Sequence, residues 1–347
     1  MGKRSTYFWQ IAFTYIGAIV GAGFASGQEI FKFFGIFGSK GILGALLAGL
    51  LLAFYGFQIV RTSALMRLDS YEQYLVYLFG SRKAKLMDGL IGFFLLCGFA
   101  VMLVAGGSLF NQLWGWHPAV GFILNAVILY VIMLVGVKGM LWLNTVLIPF
   151  LVVASIIVAA LSLTGGSQPD VIQELKSQFL INNWLLGSLL YVSYNVVLGM
   201  VVLVTLGDIA YKGGSGGAVL GGVVLGVMAA FLALALKWNF VHVQAYDVPL
   251  LALAGLQANW LAKCYSLVLW VAIITTALGN GLGLVQRLRS NFPIPLPIVI
   301  ALPFLPAIAL LGWPLGRAVG LIYPLMGYLG FVLIIAISFR IFGRPKF

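Results

Sequence analysis

The sequence predicts an all-α polytopic membrane protein of ten transmembrane helices, built as two five-helix repeats of opposite orientation. Three observations carry this expectation. Hydrophobic residues make up 62% of the 347 positions and charged residues only 8%, with a mean hydropathy of +1.10. A water-soluble domain cannot hide that much apolar surface beneath a polar exterior, so lipid is the solvent for most of the chain. The apolar runs reach the length of about 20 residues that crosses a bilayer. They number ten, at about 6–36, 40–60, 86–112, 118–136, 139–162, 183–208, 215–236, 259–289, 294–312 and 317–341.

The pairing into repeats follows from the odd count in each half. After five spans a second copy of the same unit enters the membrane inverted, as in many secondary transporters. The first repeat would cover about 6–162 and the second about 183–341, within one transmembrane domain spanning 1–347. The halves show no clear identity, but spans one and six match in one respect. Span one carries "IGAIVGAGFASGQEI" at 16–30, and span six carries "LYVSYNVVLGM" at 190–200. Each is a Gly-rich or polar interruption near mid-membrane, so both helices are expected to break.

Three stretches are too polar to span. Residues 63–85 form an amphipathic connector. Residues 164–179 form a polar connector with a short helix after Pro169. Residues 245–260 are expected to lie as a helix over the bundle. Span seven holds Gly217/Gly221 and Gly222/Gly226, two GxxxG faces that favour tight helix packing. The glycine run 213–226 lacks the Lys-Ser/Thr ending of a phosphate loop and follows no strand.

The net charge of +12 would raise the question of nucleic acid in a soluble protein. Here position explains it. With the N-terminus in the cytoplasm, fourteen of the twenty Lys and Arg residues fall on the cytoplasmic side, as the positive-inside rule requires. The expected location is the inner (cytoplasmic) membrane, with both termini cytoplasmic. The expected partners are the lipid bilayer and a small-molecule substrate, without nucleic acid, for a monomer or weak oligomer. "AGFAS" after Lys3, Arg4 and an apolar run superficially resembles a cleavage site, but apolar character resumes through Phe37, so an uncleaved first span is expected. Cys97 and Cys264 fall in apolar runs and read as small packing residues. No Cys/His cluster has metal-ligand spacing. Eight acidic residues, nearly all at loops or edges, leave no cluster for catalysis, so no enzyme and no organic cofactor are expected.

Chemistry concentrates at the first interruption. Glycine in a helix costs about 1 kcal/mol relative to alanine, and unwound backbone is tolerated in a membrane only when buried in protein or lining a cavity. A break around 20–24 would leave carbonyls at the end of the first half, suited to a cation. It would leave N–H groups at the start of the second half, suited to an anion such as a substrate carboxylate. Simple GxxxG packing of Gly17 and Gly21 is the competing account. Span eight carries "AIITTALGN", with Thr275 and Thr276 adjacent and Ala272 one turn earlier. Two hydroxyls, one carbonyl there and two carbonyls from a broken helix would suffice for sodium. Alternatively each threonine bonds a carbonyl of its own helix.

"AIVGAGFASGQE" followed by "AIITTALGN" resembles the LeuT-type fold of the amino acid–polyamine–organocation superfamily, and within it the YkvI-like membrane proteins. The resemblance spans the chain through helix count and order; these two motifs are its specific part. It implies one sodium site formed by the carbonyls of Gly17, Val20 and Ala272 and the hydroxyls of Thr275 and Thr276. The Asn that a second sodium site needs is replaced by Phe24. Some relatives use a span-five Lys instead of sodium; here Lys138 stands at the cytoplasmic edge of that span, outside the membrane interior.

A pocket for a small amino acid, amine or osmolyte would draw backbone groups from Ala22, Gly23, Phe24 and Ala25. It would draw side chains from Tyr191, Ser193, Tyr194 and Asn195, with Phe99 as wall. Glu29, next to Gln28, has three readings: contact with a cationic substrate group, proton uptake, or a gate ion pair with Lys32. Counted outward from the break, it falls more than a turn beyond the site, which favours gate or vestibule. Asp208 and Lys212, four apart, read as a solvated ion pair. The expected function is a secondary active transporter, sodium-coupled, working by alternating access. The alternatives are a proton-coupled or exchange carrier using Glu29 and a non-transporting membrane sensor or assembly protein on the same fold.

Overall fold

A computed structural model of the chain describes residues 3–135, 140–165, 180–291 and 294–342. The described residues are helical almost throughout. The first span is three pieces: α1 (Lys3–Ile19), α2 (Ala22–Ser26) and α3 (Gln28–Phe33). The chain unwinds at Val20 and Gly21, within the interval the glycines mark. It breaks again at Gly27, whose φ of 77° is left-handed, a region open to glycine at little cost. A helix α4 (Gly38–Met66) follows, then α5 (Tyr71–Trp114). Gly80, at φ 75°, bends α5, separating the amphipathic arm expected at 63–85 from its membrane-crossing part. Next come α6 (Pro118–Val135) and α7 (Met140–Gly165). The short helix expected after Pro169 lies outside the described residues, as does Lys138.

The second half opens with α8 (Trp184–Leu203), capped by the Asn183 side chain accepting from the Leu186 N–H at 2.8 Å. Here the structure corrects the sequence: α8 runs unbroken through 190–200. Its polar residues are short or aromatic and Gly199 keeps helical geometry, so nothing forces unwinding. The irregularity comes later, in a 3-10 turn at Val204–Leu206, a one-turn α9 (Gly207–Ile209) and a π turn at Ala210–Gly214. Then follow α10 (Gly216–Trp238), α11 (Phe240–Val243), α12 (Pro249–Gln257) and α13 (Asn259–Asn291). The expected helix over the bundle is α12. The chain closes with α14 (Leu296–Ala301), α15 (Phe304–Ala307) and α16 (Leu315–Phe342).

Eight helices among the described residues are long and apolar enough to cross a membrane, which makes this a multi-pass membrane protein. Expected spans one and nine depart from a simple helix. Span one is cut at two places, and span nine is a shorter apolar stretch, Leu296–Leu310, interrupted at its prolines. Large apolar side chains such as Phe13, Leu50, Phe150 and Phe339 point outward, where lipid tails make exposure costless.

The buried centre is held by close backbone approach. Helices α4 and α10, the second helix of each expected repeat, cross with Gly49 against Gly226 and Gly222 against the backbone of Ala53. A Cβ on any of these glycines would overlap main-chain atoms that cannot turn aside. In lipid, association depends on such van der Waals contact rather than on apolar burial. A Gly222→Ala variant should therefore lose about 1–3 kcal/mol of stability, read as a lower melting temperature in detergent. Gly89→Ala, where the added methyl meets nothing within 4 Å, should leave it unchanged. Equal melting temperatures for wild type and Gly222→Ala would refute the packing account.

Candidate binding site at the first helix break

The break between α1 and α2 faces α13. The backbone N–H of Ala22 approaches the Thr276 hydroxyl at 3.4 Å, and the Thr275 hydroxyl donates to the Ala272 carbonyl at 3.2 Å. Thr275 thus bonds its own helix, while Thr276 reaches across to the break. A cavity of about 150 Å³ opens between them. All five residues expected to hold a cation line it: Gly17, Val20, Ala272, Thr275 and Thr276. A third wall comes from Leu147, Ile148 and Leu151 of α7, apolar residues that carry no ligand signal in the sequence. The side-chain oxygens offered are neutral hydroxyls, the hard donors suited to a small monovalent cation.

The second half of the span is stitched in place by hydroxyls. Ser26 donates to the Gly23 carbonyl at 2.8 Å and accepts from the Gln28 N–H at 3.2 Å. Tyr265 of α13 donates to the Ala25 carbonyl at 2.5 Å and meets the Ser155 hydroxyl of α7 at 3.0 Å. Neither Tyr265 nor Ser155 was expected at the site. Each sits alone in an apolar run, and only the packing of α13 and α7 on α2 brings them together.

Glu29 lies elsewhere than its sequence position implies. An outward count along a continuous helix puts it at the membrane edge. The left-handed Gly27 redirects the chain, and Glu29 is buried at 5% exposure. Its Oε1 accepts a short hydrogen bond from the Tyr194 hydroxyl of α8. Its Oε2 stands so near Gly23 that a methyl there would meet it at 2.7 Å and the Tyr323 hydroxyl at 3.1 Å. Tyr191 and Asn195 of α8 also face the carboxyl group. Tyr323 of α16, which no motif in the sequence marks, joins this group. The expected gate pair of Glu29 with Lys32 does not form; Lys32 faces Asp247 instead.

Of the other expected substrate contacts, Ala22, Gly23, Phe24 and Ala25 form the buried α2 turn, and Tyr191, Tyr194 and Asn195 gather opposite Glu29. Two do not join them. Ser193 donates to the Gly327 carbonyl at 2.6 Å and so ties α8 to α16. Phe99 packs edge-on against Phe304 at 4.9 Å and against Gly281. Sequence neighbourhood and helix order do not fix helix rotation, which turns both to other neighbours. Asp208 and Lys212 do not pair either. Between them the chain passes from the one-turn α9 into the π turn at Ala210–Gly214, which departs from the α-helical i,i+4 geometry that the pairing needs.

A cover closes the site at the end expected to face outside. Leu250 of α12 packs onto Gly27. Asp247 accepts from the Ser108 hydroxyl of α5 at 2.9 Å and from the Gly316 N–H of α16 at 3.0 Å. Gln28 reaches toward Gly316 and Asp247; its Oε1 is buried without a hydrogen-bond partner.

No family model matches the chain. It is 30% identical over 329 residues to membrane protein YkvI of Bacillus subtilis (strain 168), covering 94% of this chain and 93% of that protein. It is 26% identical over 326 residues to protein YyaD of the same organism, covering 93% of each. Among solved structures, it is similar to Mhp1, a nucleobase-cation-symport-1 family transporter, closed with bromovinylhydantoin bound: TM-score 0.63, 16% identity, 97% of this chain and 78% of that one. Inward-facing Mhp1 gives a TM-score of 0.61 at 16% identity, over 96% and 75% of the two chains. MhsT in complex with L-phenylalanine gives 0.55 at 18% identity, over 97% and 81%. These likenesses establish the LeuT-type fold.

The stitching makes one prediction. Tyr265→Phe keeps the ring but leaves the Ala25 carbonyl without its buried donor, while the Ser155 hydroxyl keeps the Leu151 carbonyl at 2.8 Å. It should lower stability in detergent by about 1–3 kcal/mol. An unchanged melting temperature would mean that water replaces the hydroxyl and that α13 does not hold α2.

Proposed function

We propose that this chain, which belongs to the family of YkvI-like membrane proteins, is a secondary active transporter of the cytoplasmic membrane. It couples sodium entry to movement of a small amino acid, amine or related organic solute by alternating access. The carrying observation is the convergence of Gly17, Val20, Ala272, Thr275 and Thr276 on one cavity between α1 and α13. A cation held there binds only when the two helices stand close, so it biases the chain toward one of its states. At 16–18% identity the likeness to carriers of known structure speaks for the fold, and the sodium reading rests on the donor set. With fourteen of twenty Lys and Arg on the side of the N-terminus, both termini face the cytoplasm.

Glu29 supports a second reading. A buried carboxyl group against Tyr194 can take up a proton, and a proton-coupled carrier on the same fold would use it.

The deciding measurement is thermal stability of purified protein in sodium, potassium or choline chloride at equal ionic strength. Sodium alone should stabilise wild type, by about 2.7 kcal/mol at a hundredfold excess over its dissociation constant. Thr275→Ala and Thr276→Ala should each lose that response. A wild type indifferent to sodium between pH 5 and 8 would overturn the sodium assignment. Uptake driven by a proton gradient, lost in Glu29→Gln, would then favour the second reading.

A further inference from the structure

We propose that the groove between α5, α6 and the start of α13 is a lipid site. It takes one acyl chain of an anionic phospholipid and seats that lipid's phosphate at Lys263. The groove shares no lining residue with the cavity at the helix break, and the proposal does not rest on the transport reading.

Three helix ends shape the groove. Helix α5 ends at Trp114, α6 starts at Pro118 and α13 starts at Asn259, all at the side expected to face outside. Between them lies a cavity of about 590 Å³, within the range of about 300–1,000 Å³ that holds organic ligands. Along α13 it runs from Asn259 to Trp270, which at about 1.5 Å per residue is about 16 Å. The hydrocarbon core of a bilayer is about 30 Å thick, so the groove is as deep as one leaflet. Its inner part is lined by Leu109 of α5 and by Leu124 and Ile128 of α6. Trp270 completes that apolar wall. Its Nε1–H donates to the Asn125 Oδ1 at 3.0 Å, so its one polar group is already paired.

The mouth is chemically different. Asn259, Lys263 and Ser266 line it at i, i+4 and i+7, one face of α13. Trp114, Trp116 and Trp260 are exposed at this end, and Phe110 joins two of them, with ring centroids 5.0 Å from Trp114 and 5.9 Å from Trp116. Exposed tryptophans gather at the headgroup level of a membrane, so Lys263 stands at the depth of a lipid phosphate. Among the described residues no acidic side chain lines the groove, and Lys263 makes no ion pair. A zwitterionic headgroup would bring its own ammonium beside Lys263; an anionic headgroup brings only the complementary charge. A free water-soluble anion would gain nothing from the apolar depth. Empty, that depth forfeits van der Waals contact on three helices. An acyl chain restores the contact and ties α13 to α5 and α6, so the bound lipid should stabilise the bundle.

The test adds dioleoylphosphatidylglycerol or dioleoylphosphatidylcholine at equal mole fraction to the full chain in a neutral detergent. A potassium buffer keeps any sodium site out of the result. Melting temperature and lipid retained in native mass spectrometry are read together. Phosphatidylglycerol should stabilise more and be retained more than phosphatidylcholine. Lys263→Gln should weaken the apparent phosphatidylglycerol affinity about fivefold and leave phosphatidylcholine unaffected. Leu124→Trp, which puts a ring into the inner groove, should weaken both. Lys83→Gln removes a charge near the opposite end of α5 and should change neither. Glycerophosphoglycerol, the headgroup without chains, should not stabilise. Equal effects of the two lipids would overturn the proposal, as would a phosphatidylglycerol response undiminished in Lys263→Gln or in Leu124→Trp. Equal losses in Lys263→Gln and Lys83→Gln would reduce it to diffuse attraction by the basic surface. A headgroup as effective as the lipid would show that the groove holds no chain. Should Leu124→Trp not fold, Lys263→Gln, at an exposed position, decides.

Discussion

Inside a bilayer no water is at hand for a backbone N–H or C=O that leaves its helix, and each unsatisfied group costs several kcal/mol. The break at Val20 and Gly21 is therefore the constraint around which this molecule is organised. Every neighbour of the break supplies a partner or excludes lipid. Thr276 meets the Ala22 N–H, Tyr265 takes the Ala25 carbonyl, and Ser26 serves both Gly23 and Gln28. Helix α13 is placed by this need as much as by packing. The same need leaves a small oxygen-lined space beside α1, because the carbonyls of a broken helix and the hydroxyls opposite cannot all satisfy one another.

Glycine permits the arrangement at two levels. At Gly27 it supplies a left-handed turn, and without that turn Glu29 would point to the membrane edge. At Gly49, Gly222 and Gly226 it lets α4 and α10 touch through their main chains. That contact sets a dense, narrow bundle behind the break. The site thus stands on a scaffold held by close atomic contact, with few ionic links. The ion pair between Arg287 and Asp88 lies far from it, where Arg287 also bonds Tyr71 beyond the Gly80 bend.

The carboxyl group of Glu29 is the point where fold and chemistry meet. It joins α3 to α8 through Tyr194 and stands over α2 at Gly23. Three separate pieces of chain therefore meet at one carboxyl group. Beside it, α12 and the Asp247 links to α5 and α16 close one end of the bundle. Any opening of that end has to separate Leu250 from Gly27 and release Asp247 from Ser108.

By itself the sequence determined the membrane class, the helical content and the first break, and it marked the glycines and threonines that line the cavity beside that break. Each depends on composition, run length or a local motif, and these act within a few residues or on the chain as a whole. "AIVGAG" and "AIITT" were legible because glycine and adjacent hydroxyls are costly in lipid without a reason. Tertiary structure alone decided the continuity of α8, the turn of Ser193 and Phe99 away from the site, and the recruitment of Tyr265 and Tyr323. It also decided the depth of Glu29. The physical reason is rotational. One left-handed residue at Gly27 or a modest turn of a helix about its axis changes which face meets which neighbour, and no periodicity in the chain records that angle.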